Sequence, residues 1–172
     1  MSMSTSQAGY ELAERVGLVM KDKGLWLATA ESCTGGGIAA AVTDVPGSSA
    51  WFDRGFVTYS NAAKQELLGV DADTLTQHGA VSEAVVRAMA SGALAGSMAD
   101  VAVAVSGIAG PDGGTLDKPV GTVWIAWAWR NRTVRAEKFL FPGGRSAVRE
   151  ATVFAALKGI LTDLASVDSR RS

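Results

Sequence analysis

Three loops gather the side chains with chemical potential. They are Glu31-Ser32-Cys33-Thr34-Gly35-Gly36-Gly37, Tyr59-Ser60-Asn61-Ala62-Ala63-Lys64, and Ser106-Gly107-Ile108-Ala109-Gly110-Pro111-Asp112-Gly113-Gly114. Each follows a run that reads as a strand, and ligands of open α/β sheets bind beyond the carboxyl ends of strands. If the three strands run parallel, the loops meet at one edge. In the first loop Ser32 stands between strand and helix, the placement that exposes a nucleophilic oxygen in strand–turn–helix elbows. Gly35 and Gly36 let a substrate approach backbone N–H groups, which can hold an oxyanion, and a helix N-terminus favours negative charge. A plainer reading has Ser32 or Thr34 capping the helix. Three consecutive glycines argue against it, since each costs helix stability.

A serine nucleophile needs a base. His78, the single histidine, sits in Thr76-Gln77-His78-Gly79-Ala80, away from any strand end, and reads as structural. Lys64 lies one helical turn beyond Asn61 and close to the strand end that carries Tyr59. Desolvation in a cleft lowers a lysine's pKa and lets it accept a proton, although a lysine judged alone is usually a solvated surface group. Cys33 competes with Ser32, because a thiolate is the better nucleophile and a helix N-terminus lowers a thiol's pKa. Adjacent residues of an extended stretch point opposite ways, so only one of the two faces the cleft. Free cysteine is commonly a small buried hydrophobe, and Ser32 is preferred. In the third loop Ser106, Gly107 and Gly110 can present backbone amides to an anion or wall a flat ring. Arg145, after Gly143-Gly144, stands where it can grip a phosphate with two hydrogen bonds, or else is an exposed first-turn residue.

Composition narrows the chemistry. The 172 residues suit one domain spanning 1–172, with a core of about 7–166, and 48% apolar against 19% charged content excludes disorder. A formal charge of −1 supplies no field for a polyphosphate, so nucleic acid is not an expected partner. The only terminal basic cluster, Arg170-Arg171, is too short to change that. One histidine and one cysteine cannot build the usual zinc sites, so no metal and no cofactor are expected. No apolar run approaches the ~20 residues that span a bilayer, and Met1 to Gln7 lacks the pattern of a signal peptide. A cytoplasmic protein without a membrane partner is expected, and so is a homo-oligomer.

The elements that must position these groups follow from periodicity. Leu12, Val16, Val19 and Met20 mark a helix over 7–23 that Gly24 ends. Leu25 to Ala30 reads as a strand, Gly35 to Thr43 as a helix, and Trp51 to Tyr59 as a strand. Asn61 is expected to cap a helix through Leu68, and Ser82 another. Val101 to Val105 is a strand. Val120 to Trp129 and Thr133 to Phe141 are antiparallel neighbours bent at Asn131-Arg132, and Ser146 to Leu164 closes as a helix. The order αβαβα(α)αβββα gives an α/β three-layer αβα sandwich with a mixed sheet.

Six motifs in order, AESCTGG from Ala30, TYSNAAK from Thr58, HGAVSE from His78, SGIAGPDGG from Ser106, KPVGTVW from Lys118 and FPGGR from Phe141, resemble the CinA C-terminal family. The resemblance spans nearly the whole chain. It implies the αβα sandwich and hydrolysis of nicotinamide mononucleotide to nicotinate mononucleotide and ammonia, with that nucleotide as the small-molecule partner. It further implies Ser32 as nucleophile, Lys64 as base and Tyr59 as a proton-relaying or orienting partner, with Thr34, Ser106 and Arg145 in the substrate pocket. Ser106 departs from the family's commoner threonine, which keeps the hydroxyl and loses a methyl contact. Many members carry a large N-terminal domain, whose activity is not carried over. The family's association with DNA uptake leaves a non-catalytic protein-binding adaptor as the rival, and an amidase of another small carboxamide as a third reading.

Overall fold

The computed structural model describes residues 7–168. The expectations about a leader at Met1 to Gln7 and about Arg170-Arg171 fall wholly or mostly outside the described residues. Helix α1 (Gln7–Lys23) buries Leu12, Val16 and Met20 on one face. Gly24, at φ +64°, stops it in a backbone conformation that favours glycine. Strand β1 (Leu27–Glu31) is buried throughout, as a strand covered on both faces must be. Helix α2 (Gly37–Thr43), a 3-10 turn (Ser48–Ala50), β2 (Phe52–Val57) and three helices follow: α3 (Asn61–Leu68), α4 (Ala72–His78) and α5 (Glu83–Ala95). The chain then runs through β3 (Val101–Gly107), β4 (Thr122–Trp129) and β5 (Arg135–Leu140) into α6 (Arg145–Asp168).

The five strands form one mixed sheet in the order β2-β1-β3-β4-β5. β1 pairs in parallel with both β2 and β3, while β3–β4 and β4–β5 are antiparallel. The loops after β1, β2 and β3 therefore emerge at one edge, as the sequence required if those strands were parallel. At the edge strand β2, Leu27 faces Phe52 but Ala28 faces Arg54, so Asp53 is an extra residue in a bulge.

Side-chain alternation gives the sheet two unlike faces. One carries Val101, Val103, Val105, Ile125 and Trp127 under α1, α2 and α6. The other presents Ala28, Ala30, Ala102, Ala104, Ala126 and Ala128 to α3, α4 and α5. Among the described residues no helix is long and apolar enough to cross a membrane.

Two local expectations change. Ser60, not Asn61, caps α3, its Oγ accepting from the Ala63 N–H at 3.0 Å, because its extended backbone aims the hydroxyl at the first turn. Helix α2 starts at Gly37 rather than Gly35, since Gly35 and Gly36 have φ of +59° and +100° and belong to a turn. His78 ends α4, the extra helix of the predicted order, and its carbonyl accepts from Lys118 Nζ at 2.9 Å.

Candidate active site

The first loop is an elbow held from beneath. Glu31 is fully buried at the end of β1. Its Oε1 accepts from the Thr34 hydroxyl at 2.6 Å and the Ile38 N–H at 2.7 Å, and its Oε2 accepts from the Ala39 N–H at 3.0 Å. A carboxylate from within the chain thus occupies the N-terminus of α2, where an external anion was expected. Neither Ser32 nor Thr34 caps that helix. The Thr34 hydroxyl proton is committed to Glu31, so any pocket role falls to its other atoms or its acceptor lone pairs.

Above Glu31 the chain folds tightly. The Ser32 N–H donates to the Val105 carbonyl at 3.1 Å, and the Gly35 N–H to the Ser32 carbonyl at 3.0 Å. Ser32 and Cys33 then part company. Cys33 joins the core beneath α2 and α6, and burial pushes its thiol from 9.0 up to about 11. Such a thiol is inert at neutral pH. Ser32 faces the alanine side of the sheet and meets Lys64.

Lys64 sits in the first turns of α3 and is 1% exposed. Its Nζ donates to the Thr58 carbonyl at 2.8 Å and lies 3.0 Å from Ser32 Oγ. Burial holds the amine below the ordinary lysine range of 10.5, opposed in part by the nearby Cys33 sulfur. A neutral amine anchored through one N–H on Thr58 can turn its lone pair to the Ser32 hydroxyl. This pairing of a nucleophile with a desolvated base is the arrangement that activates serine.

The remaining residues lie around that pair. Tyr59 is 62% exposed, and its hydroxyl accepts from Arg145 Nη2 at 3.0 Å rather than bonding to Ser32 or Lys64. Arg145 Nη1 donates to the Gly110 carbonyl at 2.8 Å, so one guanidinium joins the loops after β2 and β3. Ser106 continues β3 beside Ser32 and is buried. Gly107 and Gly110 admit close neighbours, since a Cβ on Gly107 would stand 2.6 Å from a Val123 methyl and one on Gly110 2.5 Å from a Val120 methyl. Their packing role stands whatever else they touch. Among the described residues no three His, Cys, Asp or Glu side chains gather into a metal-binding group.

Two residues of the site went unread in the sequence as functional groups. Glu31 looked like the first residue of a loop; the signal was a helix start at Gly36-Gly37 with no Ser, Thr, Asp or Asn to cap it. Arg149 donates from Nε to the Cys33 carbonyl at 3.1 Å and from Nη2 to the Thr34 carbonyl at 3.0 Å. Its signal was the four-residue spacing from Arg145, one turn along the same face.

Comparison with known proteins places this geometry in a family. A protein of Enterobacter agglomerans called nicotinamide-nucleotide amidohydrolase PncC is 61% identical over 147 residues, covering 85% of this chain and 90% of its own. A Pseudomonas putida protein of the same name is 58% identical and is covered over 93% of its length. The crystal structure of a competence/damage inducible protein from Agrobacterium tumefaciens superposes with a TM-score of 0.91 at 48% identity, over 94% of this chain and 98% of that one. The model of the CinA C-terminal domain matches residues 9–164, and the chain belongs to that family.

Proposed function

We propose that the protein is a nicotinamide-nucleotide amidase that hydrolyses the carboxamide of nicotinamide mononucleotide to nicotinate mononucleotide and ammonia, without a metal. The observation that carries this reading is the buried 3.0 Å contact between Lys64 Nζ and Ser32 Oγ. The names of the close relatives point to the same substrate.

Neutral Lys64 accepts the Ser32 proton as Oγ attacks the carboxamide carbon. Backbone N–H groups of the elbow receive the oxyanion. The amide nitrogen must be protonated as it leaves, and the Lys64 ammonium holds that proton. Ammonia departs, and water hydrolyses the acyl-enzyme by the reverse sequence, returning the proton to Ser32. Lys64 reaches Ser32 directly, so Tyr59 takes the orienting role, steadying Arg145 at the mouth of the cleft. Arg145 keeps donors for the substrate's phosphate, and Thr34, Gly35, Gly36, Ser106, Gly107 and Gly110 line the approach.

Ammonia release from nicotinamide mononucleotide, its riboside, free nicotinamide and the intact dinucleotide tests the reading. The mononucleotide is expected to turn over fastest, with the rate unchanged by a chelator. Preference for another carboxamide would reassign the substrate, and no release from any amide would favour the protein-binding adaptor.

A further inference from the structure

Arg149 lies in α6, which the buried Val148, Ala156, Leu157 and Ile160 already fasten to the sheet. Its guanidinium reaches back across more than a hundred residues to two consecutive carbonyls of the elbow, those of Cys33 and Thr34. A rigid planar fork of donors holds two acceptors in fixed orientation better than a single ammonium does.

The orientation of those carbonyls decides where the elbow's N–H groups face. A trans peptide is planar, with its C=O and N–H on opposite sides. Drawing the Cys33 carbonyl toward α6 therefore turns the Thr34 N–H away from α6. The Thr34 carbonyl is drawn the same way, and the Gly35 N–H opposite it is taken by the Ser32 carbonyl. Among the described residues no protein acceptor takes the Thr34 N–H. Helix α6 covers the face into which Cys33 packs, whereas Ser32 looks to the other face, so the open Thr34 N–H is turned toward the side of Ser32 Oγ. Backbone donors in folded interiors are nearly always paired. One left open beside a nucleophile is a donor kept for a ligand.

We propose that Arg149 is a positioning residue for oxyanion stabilisation, pinning the Cys33 and Thr34 carbonyls so that the Thr34 N–H faces the oxygen that gains charge when Ser32 attacks. This rests on the amidase reading given above. Without the pin the Cys33–Thr34 peptide is free to rotate, and its carbonyl can face the developing negative charge instead.

The test is steady-state kinetics of Arg149→Met and Arg149→Lys on nicotinamide mononucleotide, with thermal midpoints and with guanidinium chloride added to the methionine variant. Loss of one oxyanion donor costs about 10²–10³ in kcat, so loss of its orientation should cost roughly tenfold to a hundredfold. KM should stay within about twofold of the wild type, as for a group acting in the transition state. Guanidinium should restore part of the kcat of Arg149→Met, and Arg149→Lys should fall between that variant and the wild type. A raised KM at unchanged kcat would overturn the proposal by making Arg149 a ground-state phosphate contact. A kcat loss that follows the loss of folded protein, with no rescue, would make it structural only. Should Arg149→Met not fold, Arg149→Lys decides: a lowered kcat at unchanged KM supports the proposal, and wild-type kinetics overturns it. An inactive wild-type protein would refute the amidase reading and this one with it, whereas an active wild type with unaffected variants would refute this one alone.

Discussion

The two faces of the sheet are built from different residues, and the contrast explains why a serine meets a lysine. Beneath α1, α2 and α6 the face is filled by bulky groups such as Ile125 and Trp127. Beneath α3, α4 and α5 every fully buried apolar sheet residue is alanine, with Phe56 and Trp124 only partly buried. Small side chains let helices approach closely, and α5 answers with Gly92, where an added Cβ would collide with the Leu68 carbonyl at the end of α3. Helix α5 packs on the thin face and α3 on α5, and in that arrangement the Lys64 side chain is buried with its Nζ at Ser32. The thick face receives Cys33 and serves as foundation. The proposed site thus sits on the side where the core is least bulky, while the heavier apolar burial lies on the other.

Substitutions at paired positions sharpen that contrast. The largest expected effect is that of Ser32→Ala on the thin face, which should lower kcat by on the order of 10⁴-fold or more, as for other serine nucleophiles. Single-turnover ammonia release measures it, and an active alanine variant would remove Ser32 from the mechanism.

Next in size is the base. Lys64→Met and Lys64→Arg should both lose about 10³-fold or more, because a guanidinium with a pKa above ~12 supplies no neutral nitrogen. An active arginine variant would reduce Lys64 to a fixed charge. In the wild type, kcat/KM should rise with pH as Lys64 deprotonates, on a limb lying below the ordinary 10.5. The sign is the same for stability. A lysine whose folded pKa is depressed releases its proton first in the folded state, so its burial cost is full below the folded pKa and fades as pH rises toward the unfolded value.

Gly92→Ala forces α3 and α5 apart on the thin face. Backbone overlap cannot be relieved by a rotamer change, and overpacking of this kind costs about 1–3 kcal/mol. For a chain of this size the thermal midpoint should fall by roughly 2–4 °C per kcal/mol, with kcat falling as Lys64 withdraws. An unchanged midpoint would mean the two helices do not approach so closely. The smallest effect belongs to the thick face. Cys33→Ala should keep most of the activity, and a thiol reagent at neutral pH should leave the folded wild type unmodified, since burial holds that thiol protonated until about pH 11.

Much of this was readable in the residues. The alternation of apolar runs gave the element order, and the loops after three strands, two of them glycine-rich, marked one edge on the condition that those strands ran parallel. Alternation put Ser32 and Cys33 on opposite sides, and the usual burial of free cysteine chose between them. Lys64 was chosen for its place beyond a strand end, and the tertiary fold supplied the burial that lowers its pKa. What stayed hidden depends on partners far along the chain. Tyr59 meets Arg145 across 86 positions, and Arg149 meets Thr34 across 115. No local period encodes such contacts. Glu31 stayed hidden for another reason, because a carboxylate is ordinarily a surface group and only its three donors make its burial tolerable.

The bulge at Asp53 has a consequence for the protein in a crowded solution. An edge strand exposes a row of unpaired N–H and C=O groups, on which a neighbouring chain can build another strand. In β2 the extra residue interrupts that row and increases its twist. Asp53 also accepts from the Met98 N–H and from Arg54, while Arg54 spans to the Gly96 carbonyl. A charged pair strapped over an irregular edge makes a poor template for aggregation. Extension of the sheet on that side is thereby disfavoured, while Tyr59, just beyond the end of β2, remains exposed.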